Sequence, residues 1–161
     1  MAILRIIKFI WRHPLNKGGQ FKALIRFFRW QLGLRILNSP AVFTWINDSR
    51  LIVRKGMTAA TGNIYVGLME FEEMAFLLHY LRPEDLFVDV GANVGTYTIL
   101  AGKVAGAKCL AVEPGPIAFS NLKENISLNN MQEQVVAINI AIGKEKQILK
   151  LTADLDTKNY I

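Results

Sequence analysis

The sequence predicts an α/β protein built on the opening strands of a doubly wound parallel sheet. Three observations carry that reading. Short apolar runs at 86–90, 109–112 and 135–142 alternate with segments of helical spacing. The first run leads into the glycine-containing loop Gly91-Ala92-Asn93-Val94-Gly95. The second ends at Glu113, which lies 24 positions after Asp89. Strand, glycine loop, helix and a second strand closed by an acid form the opening unit of a Rossmann-like nucleotide-binding fold.

The chain of 161 residues is 52% hydrophobic and 20% charged, which excludes a disordered tail. One cysteine and two histidines exclude a disulfide scaffold and leave no plausible metal centre. The longest uncharged stretch, 56–69, has 14 residues, too few for a membrane-spanning helix of about 20. Arg5, Lys8 and Arg12 interrupt the only apolar region that resembles a leader, so a cytoplasmic address is expected.

Taken in order, residues 1–40 are expected to form a basic amphipathic helical arm. Residues 1–55 hold 11 Lys/Arg against one acid, Asp48, a net +10; residues 56–161 carry −4. Over 2–12, Ile3, Ile7 and Ile10 share one side of a helix, and Arg5, Lys8 and Arg12 line another. Pro14 and Gly18-Gly19 break it. A second helix is expected over 20–34, with Phe21, Leu24, Ile25, Phe28 and Leu32 as its apolar stripe. Two such helices suit an anionic membrane surface, giving possible peripheral contact through residues 1–35. Packing of the stripes onto the rest of the chain is the alternative. Nucleic acid is set aside as a partner, since no reader motif accompanies the charge.

Residues 41–85 are expected to hold a hairpin and a lead-in helix. β-Branched and aromatic runs at 42–46 and 51–53 flank the turn chemistry of Asn47-Asp48-Ser49. The Gly- and Thr-rich stretch 56–67 is expected to wrap along the surface. Phe71, Met74, Leu78 and Leu81 then mark a helix over 70–81, which Arg82-Pro83 ends. After the glycine loop a helix is expected over 96–104. Pro116 opens another, with Phe119, Leu122 and Ile126 on one face.

Glycines at 91 and 95 let a ligand approach the backbone over the end of the first strand. Glu113 is placed to accept hydrogen bonds from ribose hydroxyls. A dinucleotide fingerprint wants G-x-G-x-x-G, yet Asn93 stands where its middle glycine belongs. Asp89 adds negative charge where a pyrophosphate would sit. A ligand bearing an ammonium and a sulfonium fits better, which favours S-adenosyl-L-methionine over NAD. An NAD-dependent oxidoreductase stays the enzymatic alternative, and a non-catalytic membrane-surface module the other.

FVDVGANVGTYTILA, AVEPGP and NLKENISLNN together resemble the FkbM-type S-adenosylmethionine-dependent methyltransferases. EFEEMAFLLHYLRPEDL resembles the segment that leads into their motif, so the resemblance covers roughly 60–158. It implies a class I methyltransferase fold and O-methylation of a glycan or small-molecule hydroxyl. It places Asp89, Gly91, Ala92, Asn93 and Gly95 in the cofactor loop, Glu113 on the ribose, and Ala141 beside the adenine. The family's sheet has about seven strands, whereas 86–161 supplies only its N-terminal half. A truncated, partial cofactor-binding domain is therefore expected, with 146–152 pairing back as a hairpin strand. The catalytic base is not identified. Glu70, Glu72 and Glu73 are chiefly a solvated face, and His79 and Cys109 are structural.

Overall fold

The computed structural model describes residues 2–36, 39–54 and 56–145. The expected strand at 146–152 lies outside them. Helix α1 (Ala2–Arg12) and helix α2 (Gln20–Ile36) form a hairpin joined by a 3-10 turn at Pro14–Asn16. Strands β1 (Ala41–Thr44) and β2 (Arg50–Val53) pair antiparallel, with Ala41 opposite Val53 and Thr44 opposite Arg50. Asn47 and Asp48 make the turn at φ 46° and 61°, a conformation these two side chains tolerate better than most. Helices α3 (Thr58–Val66) and α4 (Phe71–Tyr80) follow. The sheet then alternates: β3 (Leu86–Val90), α5 (Thr96–Ile99), β4 (Lys108–Val112), α6 (Pro116–Leu128) and β5 (Val135–Ile138).

β3, β4 and β5 are parallel and lie side by side in that order, with Asp89 opposite Ala111 and Cys109 opposite Val135. Cys109, Ala111 and Val135 face a core that includes Ile99, Leu100, Leu122, Ile126 and Met131. The opposite face is bare among the described residues. Leu86 is 66% exposed, Val90 61% and Val136 62%. β3 is also an edge strand there. Fully burying one such side chain contributes roughly 1.5–3 kcal/mol, so this face withholds a substantial stabilisation.

Two expectations need correction and others are refined. The stretch 56–67 is not a surface wrap: α3 occupies it, with Ala60, Ile64 and Val66 buried. Its Gly62 is a packing site, because a Cβ there would meet the Met69 side chain. Of the stripe assigned to the second helix, only Leu24 packs against the core. Phe21, Ile25, Phe28 and Leu32 are exposed, and Ala23 and Phe27 are buried instead. The helix at 96–104 changes pitch after Ile99, where one π turn (Leu100–Val104) takes over and Ala105 N–H donates to Leu100 O at 2.9 Å. The third apolar run ends as a strand at Ile138, not 142. Ile10 and Phe27 share one buried cluster with Leu51, Met74 and Leu122, so one side of α1 and of α2 belongs to the common core.

Candidate cofactor site

β3 and β4 end side by side, which brings Asp89, the glycine loop and Glu113 together. Gly91 N–H and Ala92 N–H both donate to Val112 O, at 2.8 and 3.0 Å, so the loop folds over the end of β4. Gly91, Asn93 and Gly95 have φ of 80°, 50° and 88°. Glycine is required at Gly95, where a Cβ would lie 2.6 Å from Leu122 Cδ1. At Gly91 a Cβ would meet nothing within 4 Å. The space above that backbone is open to a ligand.

Glu113 is buried beneath the loop. Its Oε2 accepts from Asn93 N–H at 2.8 Å and its Oε1 from Gly115 N–H at 2.7 Å. Each oxygen keeps a lone pair for a further donor such as a sugar hydroxyl. Asn139 Nδ2 donates to the Glu113 carbonyl at 2.7 Å, tying the segment after β5 to this corner. Asp89 Oδ2 accepts from Thr98 Oγ1 at 2.6 Å. Burial raises the Asp89 carboxyl above its ordinary value; the Thr98 bonds oppose the shift and the Glu113 charge adds to it. An uncompensated carboxylate of this kind favours a cationic ligand. The residues present therefore fit S-adenosylmethionine: an open backbone cradle, free acceptor capacity on Glu113, and an acid lacking a cation.

Of the positions singled out in the sequence, Asp89, Gly91, Ala92, Asn93, Gly95 and Glu113 converge here. Ala141 is exposed in the irregular segment three residues beyond β5. Sequence reasoning missed the partners. Tyr97 O–H donates to Glu70 Oε2 at 2.7 Å, and burial together with that acid raises the phenol's pKa. Glu72 and Glu73 are exposed, as a solvated face requires. His79 Nδ1 lies 2.8 Å from Ala75 O within its own helix. The Cys109 thiol is buried, and that burial pushes its pKa up to about 12. Asn121 and Asn125 of α6, with Asn129 just past its end, also escaped notice as a device. Asn125 Oδ1 accepts from Ile52 N–H and its Nδ2 donates to Val94 O, both at 2.8 Å. Asn129 does the same for Arg50 N–H and O. The helix thus binds the edge of β2 and the glycine loop with one row of amides.

The family model of the TRM5/TYW2 methyltransferase domain matches residues 59–154, more than half of the chain and all of this site. The chain belongs to the TRM5/TYW2 methyltransferase family. This corrects the FkbM assignment and leaves the methyltransferase superfamily and the Rossmann-like class I fold as expected. S-adenosylmethionine is the cofactor of these methyltransferases, which removes NAD. One relative, the tRNA (guanine(37)-N(1))-methyltransferase of Dictyostelium discoideum, is 25% identical over 126 residues, 78% of this chain and 26% of that protein. Another, the ribosomal protein L11 methyltransferase of Carboxydothermus hydrogenoformans, is 27% identical over 92 residues, 56% of this chain and 29% of its own. TYW2 of Pyrococcus horikoshii, solved in complex with MeSAdo, shares the fold at TM-score 0.53 and 23% identity, over 65% of this chain and 37% of that one.

This TRM5/TYW2 chain thus spans between a quarter and a third of the length of each of these two curated relatives. The expectation that set nucleic acid aside and looked to a glycan or small-molecule acceptor is overturned by a relative named for tRNA. Among the described residues no helix is long and apolar enough to cross a membrane.

Proposed function

We propose that this chain is the cofactor-binding part of an S-adenosylmethionine-dependent methyltransferase whose acceptor is a base of tRNA. The observation that carries the reading is the family match across the glycine loop, with Glu113 seated beneath that loop. Bound cofactor supplies an electrophilic methyl on sulfonium. In this reading Gly91 presents open backbone to it, Ala92 holds the loop in place beside it, Glu113 accepts from its ribose, and Asp89 compensates its positive charge. Asn93 shapes the loop through its left-handed backbone and through the N–H it gives to Glu113. Ala141 borders the adenine from the segment that Asn139 anchors. A tRNA acceptor accords with the earlier expectation of a cytoplasmic address. Methylation of a ribosomal protein is the second reading, favoured by the ribosomal protein L11 methyltransferases among the relatives.

The test has two stages. Isothermal titration with S-adenosylmethionine should show saturable binding that Glu113→Ala weakens at least tenfold, with NAD inert. Transfer of labelled methyl from the cofactor to bulk tRNA should then exceed transfer to ribosomal protein L11. Saturable NAD binding, or label on the protein alone, would overturn the reading at the corresponding stage.

A further inference from the structure

The first 47 residues contain eight Lys/Arg and no Asp or Glu. Among the described residues none of those cations has a carboxylate partner; Arg54 with Glu124 is the ion pair observed there, and it lies outside this segment. Arg26 has a structural task, donating to Asn16 Oδ1 at 3.2 Å and Tyr65 O at 2.8 Å. Arg5, Lys8, Arg12, Lys17, Lys22 and Arg29 are exposed.

These cations line two grooves. One, of about 430 Å³, has Arg5, Lys8 and Arg12 along its wall with His13. The other, of about 470 Å³, has Lys22, Arg26 and Arg29 with Trp30. Exposed cations that share a groove and lack carboxylate partners suit phosphate oxygens. The same hairpin also exposes aromatic rings. Trp11 and Phe21 meet edge to face at 5.4 Å, and Phe21 is 74% exposed, with Phe28 exposed on the same helix. Exposed rings among cations suit unstacked bases, whereas a paired duplex offers only its backbone.

The hairpin also adjoins the candidate site. The His13 ring packs on Phe71 at 5.9 Å, Phe71 follows Glu70, and Glu70 receives the Tyr97 hydroxyl just beyond the glycine loop. We infer that the α1–α2 hairpin is the RNA-docking surface of this enzyme, gripping the phosphates of a single-stranded loop while its aromatics stack on the bases. This deepens the tRNA reading and rests on it.

Fluorescence anisotropy of the full chain with a fluorescein-labelled RNA hairpin, read across a salt series, tests the inference. Wild type should bind the hairpin more tightly than a fully paired duplex of the same stem. The triple variant Arg5→Gln, Lys8→Gln, Arg12→Gln should flatten the slope of log affinity against log salt by about 2. Lys22→Gln with Arg29→Gln should flatten it by about 1.5, and gives a second route should the triple variant lose its thermal transition. Phe21→Ala should weaken binding roughly tenfold and leave the slope alone. Lys103→Gln with Lys123→Gln, exposed cations outside the hairpin, should change nothing. An unaltered slope in the arm variants, an equal loss in the Lys103/Lys123 variant, or tighter binding to phosphatidylserine vesicles than to RNA would overturn the inference. Titration with S-adenosylmethionine separates the two claims. Intact cofactor binding with no RNA binding removes the docking surface and the RNA acceptor, and leaves the methyltransferase.

Discussion

Burial raises the pKa of Asp89, and hydrogen bonds from Thr98 are what offset the cost of its charge. Between the ordinary carboxyl value and this raised one, the folded state binds more protons than the unfolded chain. Stability from this group is therefore greatest at low pH and is lost as pH rises through that window. Asp89→Asn should raise Tm at neutral pH, and the advantage should vanish in strong acid. The same substitution should abolish S-adenosylmethionine binding, since the cation loses its counter-charge. Denaturation scans at several pH values beside a titration check both halves; a lower Tm at neutral pH would refute the burial argument. Gly95 and Gly91 offer a second residue-scale contrast. Gly95→Ala drives a Cβ into buried Leu122 and should cost about 3 kcal/mol. Gly91→Ala adds only the strain of a positive φ, about 1–2 kcal/mol, yet fills the ligand's space. Urea melts and cofactor titrations should rank the two variants in opposite orders.

At the scale of elements, α6 joins three parts of the chain through its amides. Asn125 is fully buried, and truncating it strands the Ile52 N–H and the Val94 carbonyl together. Asn125→Ala should cost about 2–5 kcal/mol and weaken cofactor binding as the loop loses its tether. Asn125→Asp keeps the acceptor for Ile52 but loses the donor to Val94. Its cofactor affinity should fall with the alanine variant's, which paired melts and titrations will show. The asparagine spacing was visible in the sequence, but its purpose was not, because both targets lie far away in the chain. Local patterns fared better. The hairpin followed from Asn47-Asp48, and the loop and Glu113 from strand-ending chemistry, since neighbours in sequence decide both. Thr98, Asn139 and the Tyr97–Glu70 pair were illegible because tertiary packing brings them to the site. Which side of α2 is buried was not legible because that helix carries apolar residues on two sides, and periodicity cannot choose between them. At α3, propensity spoke for a loop while burial of Ala60, Ile64 and Val66 enforced a helix.

The molecule as a whole is polarised. Positive charge gathers on the helical hairpin at one end of the chain, and an uncovered apolar sheet face lies on the other part. The helices that do cover the sheet, α5 and α6 with the π turn, all lie on the Cys109–Ala111 side. An apolar dye such as ANS should therefore bind the natively folded protein strongly, before any thermal transition. Val88→Thr with Val136→Thr should diminish that fluorescence and lower Tm only slightly, because Val88 stays 48% and Val136 62% exposed in the fold. Dye binding that survives those substitutions would locate the apolar surface elsewhere.

Strand β3 has one consequence for the exchange of amide hydrogen with deuterium. Lys108 N–H donates to Asp85 O, and Gly91 N–H to Val112 O. Alternation along the strand then turns the amides of Phe87 and Asp89 toward β4, and those of Leu86, Val88 and Val90 outward. In heavy water the strand should exchange as a two-speed comb, every second position slow and its neighbours fast. Any chain that pairs along this edge would bring the fast teeth to the rate of the slow ones, and that change can be followed residue by residue.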